Sequence, residues 1–292
     1  MRRQLNVRRV DAPRRLTRRT KTAPTPIVKW AGGKTKLLSH LTGHFPENYK
    51  RYFEPFLGGA ALFFHAAPEK AVLNDMNVDL VNMYQMVAGD VSAVIRRLRW
   101  YRNRHNDEFY YKTRERWNER PNPMSEIDRA AAFIYLNKTC YNGLWRVNSK
   151  GLFNVPLGSY KNPQLFDEAT LRAASEVIGR AELRTGSFVN AVKGAKKGDL
   201  VYFDPPYHPL NDTAKFTSYT ANSFGAKEQR QLAELVQKLA KRGCHVILSN
   251  SDTPFIRKLY ADFTINKVLC PRAINSRAKG RGPIPEVIVT TT

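Results

Sequence analysis

The chain has 292 residues, with 48 Lys and Arg against 25 Asp and Glu, for a formal net charge of +23. That length buries a core of one large domain or two modest ones, and so large an excess of cations suits a polyanion such as nucleic acid, whose condensed counterions are released when Lys and Arg bind its phosphates. No run of 18 apolar residues exists to span a membrane, the first residues lack the apolar core of a secretory signal, and Cys140, Cys244 and Cys270, far apart and without any C-x-x-C or H-E-x-x-H, fit a reducing cytoplasm and no metal site.

Residues 1–26, MRRQLNVRRVDAPRRLTRRTKTAPTP, hold repeated Arg pairs, one acid and three prolines, which predicts a disordered tail. Residues 1–21 carry a net +8, so the remainder is itself basic at +15. The tail is expected to strengthen binding to a polyanion in a salt-dependent way. Next comes IVKWAGGKTKLL (27–38), whose Gly-Gly-Lys-Thr looks like the end of a phosphate-binding loop. That loop needs G-x-x-x-x-G-K-[ST]; with Gly33 and Lys34 in the last places its first glycine falls on Val28, and the ATPase reading fails. His40 and His44, four residues apart with no third ligand nearby, read as surface histidines on a short helix.

RYFEPF (51–56) predicts a strand entering a Gly-Gly turn, GAALFFHAA (59–67) a helix, and KAVLND (70–75) a second buried strand ending in an acid. NVDLVNMYQMVAGD then has helical spacing. Strand, glycine turn, helix, strand, acid is the opening of a Rossmann-like parallel sheet. Residues 90–139 carry apolar residues at three and four spacing and read as helical throughout. CYNGLWRVNSKGLFNVPLGSYKNP (140–163) breaks that period with Asn-Gly and Lys-Gly turns between short β-prone runs, which predicts a hairpin or loop. Alternation resumes near 165: AELRTG and GDLVYFDPPY (198–207) as strands, KEQRQLAELVQKLAKRG as an amphipathic helix ending at Gly243, CHVILSN (244–250) as a buried strand. The expected class is α/β, a sheet unit of residues 27–89 and 165–292 interrupted by a helical insert with a basic hairpin at 90–164.

The strongest chemical signal is Asp204-Pro205-Pro206-Tyr207, directly after the buried strand LVYF. In open α/β sheets ligands bind beyond the carboxyl ends of the strands. The residue types suit one task. The exocyclic amine of a base is a poor nucleophile because its lone pair is delocalised into the ring. A carboxylate and a rigidly aimed backbone carbonyl can both accept from that NH2 and turn its lone pair toward an electrophilic methyl. Two prolines fix the carbonyl directions, and Tyr207 offers a flat face to a flipped base. The bland alternative is a proline turn with an acidic cap.

Asp204 to Tyr207, together with VKWAGGK (28–34) and YFEPFLGG (52–59), closely resembles the DNA adenine methyltransferase family that acts on the amino nitrogen of adenine, most of all the Dam enzymes that methylate GATC. YNGLWRVNSKGLFNVPLGSYKNP and TAKFTSYTANSF extend the match, which covers residues 26–290 in the family's order. The resemblance implies a Rossmann-like methyltransferase sheet (27–89 and 165–292) with an inserted target-recognition region (90–164), S-adenosylmethionine as cofactor, no metal, duplex DNA as partner, a monomer in solution, and a cytoplasmic enzyme. It assigns catalysis to Asp204, Pro205, Pro206 and Tyr207. It places Trp30, Lys34, Glu54, Gly58, Asp75 and Asp204 around the cofactor, with Glu54 and Gly58 at its methionine end and Asp75 on its ribose. Phe188 is left between the adenine ring and the core. It gives DNA contacts to Lys29, Tyr141, Leu144, Arg146, Asn148 and Tyr160, with Lys150 and Lys161 on phosphates. Taken alone, Trp30 reads equally as a core residue, Lys34 as a solvated charge, Asp75 as a helix cap, and the hairpin as an ordinary basic loop. One departure stands out: where the family has F-x-G-x-G, this chain has Phe56-Leu57-Gly58-Gly59-Ala60, whose methyl is expected to crowd the cofactor. The rivals are a methyltransferase of another amine (cytosine N4 or rRNA adenine) and a DNA-binding protein that has lost catalysis.

Overall fold

The computed structural model describes residues 22–210, 224–270 and 284–291. The Arg-rich residues 1–21, and TAKFTSYTANSF up to its last residue Phe224, lie outside them. Seven strands form one sheet: β1 (Tyr52–Glu54), β2 (Ala71–Asp75), β3 (Ala181–Thr185), β4 (Leu200–Phe203), β5 (His245–Ser251), β6 (Thr264–Cys270) and β7 (Ile284–Thr290). Their order is β3-β2-β1-β4-β5-β7-β6. The first five are parallel, and β7 runs antiparallel between β5 and β6. This is the Rossmann-like α/β sheet that the alternation of strand and helix predicts.

The central strands are unbroken apolar runs because both faces of the sheet are covered. Side chains alternate across it. Tyr52, Leu73, Leu200 and Tyr202 enter one core with the helices of residues 61–178. Phe53, Val72, Val201 and Phe203 enter the other, against the helices Ala226–Lys241 and Pro254–Leu259. The first strand is shorter than the expected 51–56. Pro55 has no N–H to donate to a ladder, and the chain turns there toward Gly58.

After the short helices α1 (Leu38–Thr42) and α2 (Ala61–Ala66), the helical stretch forms three helices, α3 (Val78–Arg102), α4 (Asp107–Asn118) and α5 (Glu126–Thr139), which match the three runs of helical spacing VSAVIRRLRWYRNRH, EFYYKTRERWNE and EIDRAAAFIYLNKT. Each begins on a side-chain cap: Asn77, Asn106 and Ser125 accept from backbone N–H groups of the first turn. The break between α4 and α5 holds Pro121 and Pro123, which lack the donors a helix requires. Within α3, Asp90 leaves helical geometry (φ −146°), and its carboxylate accepts from Ala93 N at 2.9 Å, capping the second half. Asp128 on α5 binds Arg97 and Tyr101 of α3, at 2.6 Å to Arg97 Nε and 2.9 Å to the Tyr101 hydroxyl. Residues 140–163 lack regular strands; a 3-10 turn at Tyr141–Gly143 and two isolated bridges, Cys140 to Leu157 and Val147 to Phe153, fold them back on themselves.

Strands β6 and β7 were not individually foreseen. Strand β7 matters to the site because its antiparallel register with β5 sets Glu286 opposite Ser251, at the carboxyl end of β5. Among the described residues no helix is long and apolar enough to cross a membrane, and no cluster of three His, Cys, Asp or Glu could hold a metal.

Candidate active site

Asp204 follows the last residue of β4, and Pro205 and Pro206 prevent the strand from continuing. Its carboxylate is held on one oxygen. Oδ1 lies 2.8 Å from Lys34 Nζ and accepts from Ser249 Oγ at 2.9 Å. The Ser249 hydroxyl is thereby committed as donor, so Tyr202 OH, 3.1 Å away, donates to it. Among the described residues nothing donates to Oδ2 or to the Pro205 carbonyl. Burial raises the proton affinity of Asp204, while Lys34 and Ser249 oppose the rise. Lys34 is buried, gives a second hydrogen bond to Gly32 O at 2.6 Å, and lies 4.6 Å from the centre of the Tyr207 ring.

The rest of the loop is clamped by residues that sequence reasoning missed. Tyr207 OH donates to Glu286 Oε2 at 2.7 Å. Gln229 Nε2 donates to the Pro206 carbonyl at 2.9 Å, and Gln229 Oε1 accepts from Asn250 Nδ2 at 3.1 Å. Asn250 Oδ1 in turn accepts from His208 N at 3.1 Å, while Ser251 Oγ donates to His208 O at 2.7 Å. The one sequence signal for these partners is Ser249-Asn250-Ser251 at the end of the apolar run HVIL, polar residues that β5 carries to the same edge of the sheet as Asp204. Gln229 and Glu286 leave no local trace.

The other expected residues gather beside this loop, at the carboxyl ends of β1 and β2. Glu54 is 3% exposed, accepts from Tyr52 OH at 2.8 Å, and its carboxyl is pushed up to about 8, chiefly by burial, with the neighbouring Asp204 and Asp75 adding to the rise. Asp75 Oδ2 accepts from Gly58 N and Oδ1 from Asn77 N, each at 2.9 Å. It thus braces the glycine turn, while the cap of α3 is Asn77. Each oxygen of Asp75 keeps a lone pair for a hydroxyl group. Met76 and Val78 next to it are 66% and 61% exposed, an apolar edge that the sequence reading did not single out. Phe188 is 8% exposed and stacks on Phe56 at 5.4 Å, which places it in the core.

Trp30 stacks on Phe133 at 6.2 Å and covers Gly58, where an added Cβ would lie 2.7 Å from Trp30 Cδ1. Gly58 also has φ +47°. A Gly58→Ala chain is therefore expected to lose about 1–3 kcal/mol of stability and to displace the indole; an unchanged melting temperature and unchanged Trp fluorescence would rule out this close approach. Ala60, the departure from the family pattern, is buried with φ +56°. The family's glycine there suits a left-handed backbone, and the methyl imposes local strain of about 1–2 kcal/mol.

The residues expected to read the target lie along the 140–160 loop. Tyr141 is 55% exposed and Leu144 39%. Arg146 Nε donates to Asn154 Oδ1 at 3.0 Å, which leaves the fork of its guanidinium outward. Asn148 Oδ1 accepts from Lys150 N and Leu152 N, both at 3.0 Å, so its carbonyl shapes the Lys-Gly turn. Lys150 and Lys161 are exposed. The loop is anchored by Trp145, which packs on Phe133 and Phe153 at 4.0 and 4.5 Å. Lys29 Nζ donates to Tyr160 OH at 3.2 Å.

A residue that no motif suggested joins these parts. Asn137, fully buried at the end of α5, accepts from Lys29 N at 2.8 Å and donates to Lys29 O at 2.8 Å and Gly143 O at 3.1 Å. The segment carrying Trp30 and Lys34 is thereby fastened to the 140–160 loop.

Residues 30–274 match the family described as D12 class N6 adenine-specific DNA methyltransferase. A type II methyltransferase of Lactococcus lactis subsp. cremoris is 42% identical, over 94% of this chain and 98% of its own length. A type II methyltransferase of Methanocaldococcus jannaschii is 43% identical, over 88% and 94%. The DNA adenine methylase of Vibrio cholerae is 38% identical, over 91% and 95%.

Proposed function

Because the chain belongs to the D12 class of N6 adenine-specific DNA methyltransferases, we propose that it moves a methyl group from S-adenosylmethionine to the N6 amino group of an adenine flipped out of duplex DNA, within GATC. The observation that carries this reading is the loop at the end of β4, where Asp204 Oδ2 and the Pro205 carbonyl have no donor among the described residues. An amino group offers two hydrogens, and two acceptors fixed in direction hold both. The lone pair is then directed out of the base plane, toward the neighbouring cofactor pocket. Lys34 and Ser249 grip Oδ1, oppose the rise in proton affinity that burial causes, and keep the carboxylate aimed. Positioning of this kind supplies much of the rate.

The residues present fit the cofactor. Glu54 is a buried carboxylate with no cationic partner among the described residues, a setting that a ligand ammonium completes. Asp75 has lone pairs for the ribose hydroxyls, and Met76 supplies an exposed apolar edge for a base. When bound there, S-adenosylmethionine would supply an electrophilic methyl on sulfur, with a neutral thioether as the leaving group. The methylated amine must shed a proton, and Asp204, with its proton affinity raised by burial, is placed to receive it.

On the DNA side, the outward fork of Arg146 suits a guanine in the major groove, and exposed Tyr141 suits the gap that a departing base leaves. An Arg146→Ala enzyme is expected to lose about 1–3 kcal/mol of discrimination at one base pair while its cofactor affinity stays the same; equal loss on every sequence would make Arg146 a phosphate contact instead. The whole reading is tested by methyl transfer from labelled S-adenosylmethionine to two duplexes, one with a single GATC and one with that site scrambled. Label on adenine in the first alone is the expected result. Label in both discards GATC, label on cytosine discards the base, and label in neither with cofactor bound returns the chain to a DNA-binding role.

A further inference from the structure

The five parallel strands share a second edge, opposite the active site, and every one of them is entered past a cation. Arg180 precedes β3, Lys70 precedes β2, Lys50 precedes β1, Lys197 precedes β4, and Lys241 with Arg242 precedes β5. All six are exposed, and none forms an ion pair among the described residues. Arg51, in the same row, is neutralised by buried Asp199 at 2.6 Å. Glu69 and Glu182 are exposed acids near them, and Glu182 is paired with Arg184 at 2.7 Å.

Part of this charge has a structural use. Helices Ala61–Ala66, Glu168–Ile178 and Ala226–Lys241 end at this edge. Each helix C-terminus carries about half a negative charge, so three of them offset less than two cations. The excess remains, and its stems are held in place. Gly198 N donates to Gly243 O at 2.9 Å and Lys50 N to Gly198 O at 2.8 Å, which joins the entries to β1, β4 and β5. The two glycines leave room for lysine stems: an added Cβ at Gly198 would meet Lys50 Cε at 3.4 Å, and one at Gly243 would meet Lys197 Cγ at 3.0 Å. The methylenes lie flat on backbone and the ammonium groups face water.

Neighbouring strands are about 4.8 Å apart, so the row extends about 19 Å, close to six base pairs of duplex at about 3.4 Å each. It points away from the carboxyl edge where Asp204 stands, separated by the length of the sheet. A straight duplex seated at the active site cannot reach it.

We propose that this edge is a second, sequence-independent seat for duplex DNA, so that one molecule holds two DNA segments at once. The inference takes DNA as the partner, as the family does, and does not depend on the catalytic assignment.

The test anchors the full-length enzyme on an immobilised duplex containing GATC and measures capture of a labelled 30-base-pair duplex that lacks the site. The parent is expected to capture it, with a salt dependence that weakens by about three log units per log unit of salt when three phosphate contacts are removed. A Lys50→Glu, Lys197→Glu, Lys241→Glu variant is expected to capture at least tenfold less, while methyl transfer to a short single-site duplex stays within twofold. The corresponding Lys→Gln variant, milder for folding, is expected to fall between. Capture by either folded variant at the parent level would overturn the proposal. So would a captured complex whose sedimentation mass shows two protein molecules and two duplexes in place of one protein and two. Because capture is read without catalysis, it stands or falls apart from the methyl-transfer result.

Discussion

An Asp204→Ala enzyme is expected to transfer methyl groups about a thousandfold more slowly than the parent while binding duplex DNA at least as tightly. The rate falls because the base amine loses one of its two acceptors, an effect of the size usual for a positioned acid–base group. Binding does not fall, because the substitution removes a negative charge from a strongly basic protein. Stability must be measured alongside. Lys34 Nζ loses its ion-pair partner at 2.8 Å and keeps the Gly32 carbonyl. Breaking a fully buried pair costs about 3–5 kcal/mol; with the Asp204 side chain 20% exposed, water can reach the ammonium and the cost is smaller. Single-turnover transfer by folded protein, with a parallel gel-shift assay, separates the two effects. Transfer within tenfold of the parent would remove Asp204 from the chemistry, and loss of DNA binding in step with transfer would make its role structural. Asp204→Asn, which keeps an acceptor for Lys34 and Ser249, is expected to be the more stable of the two and nearly as slow.

Glu54→Gln is expected to stabilise the protein and to weaken cofactor binding together. The Glu54 carboxyl titrates near 8 when folded and near 4.5 when the chain is open, so the folded state keeps a proton that the unfolded state releases. Between about pH 4.5 and pH 8 the unfolded form therefore binds fewer protons, and stability falls as pH rises. The glutamine removes that slope. At pH 8 the variant gains on the order of 2–4 kcal/mol over the parent, several degrees in melting temperature, and near pH 4.5 the two converge. For the ligand the sign reverses. An ammonium beside Glu54 favours the ionised carboxylate, so cofactor binding near pH 7 releases a proton and tightens toward pH 8. The variant is expected to bind ten- to a hundredfold more weakly without that proton release. Calorimetry in two buffers of different ionisation enthalpy measures the proton directly. A parent that releases none would place the ligand's cation elsewhere.

What the sequence reveals of this fold depends on how local the cause is. VLN in β2 and LVYF in β4 are legible as strands because they are short, β-prone and bounded by turn residues, whereas the longer buried run AAAFIYL belongs to a helix, and the caps Asn77, Asn106 and Ser125 announce their helices. Strand β6, TINKVLC, leaves most of its side chains at least partly open to solvent at the edge of the sheet, so no apolar period marks it. Its pairing with β7, like that of β7 with β5, arises only when the chain closes. The site divides in the same way. Asp204 to Tyr207 and Trp30 to Lys34 are legible as motifs, but that Lys34 grips Asp204 across 170 positions is a property of the folded sheet. So are the Tyr207 bond to Glu286 and the Gln229 bond to Pro206. The Asx turn at Asn148 was concealed for a different reason: the residue type suits reading a base equally well, and only the bonds to Lys150 N and Leu152 N show that its carbonyl is committed to the chain itself.

The triple bond set of Asn137 has a consequence for how such enzymes diversify. The amide secures the root of the 140–160 loop from beneath, through Lys29 and Gly143, while Tyr141, Leu144 and Arg146 face outward. The loop is built like an interchangeable bit in a fixed chuck. Substitutions on its outer rim leave the grip untouched, so, with the loop reading DNA as proposed, new target sequences can be tried one side chain at a time without disturbing the Trp30–Lys34 segment. A change at Asn137 is expected to loosen the chuck itself and to cost every target at once.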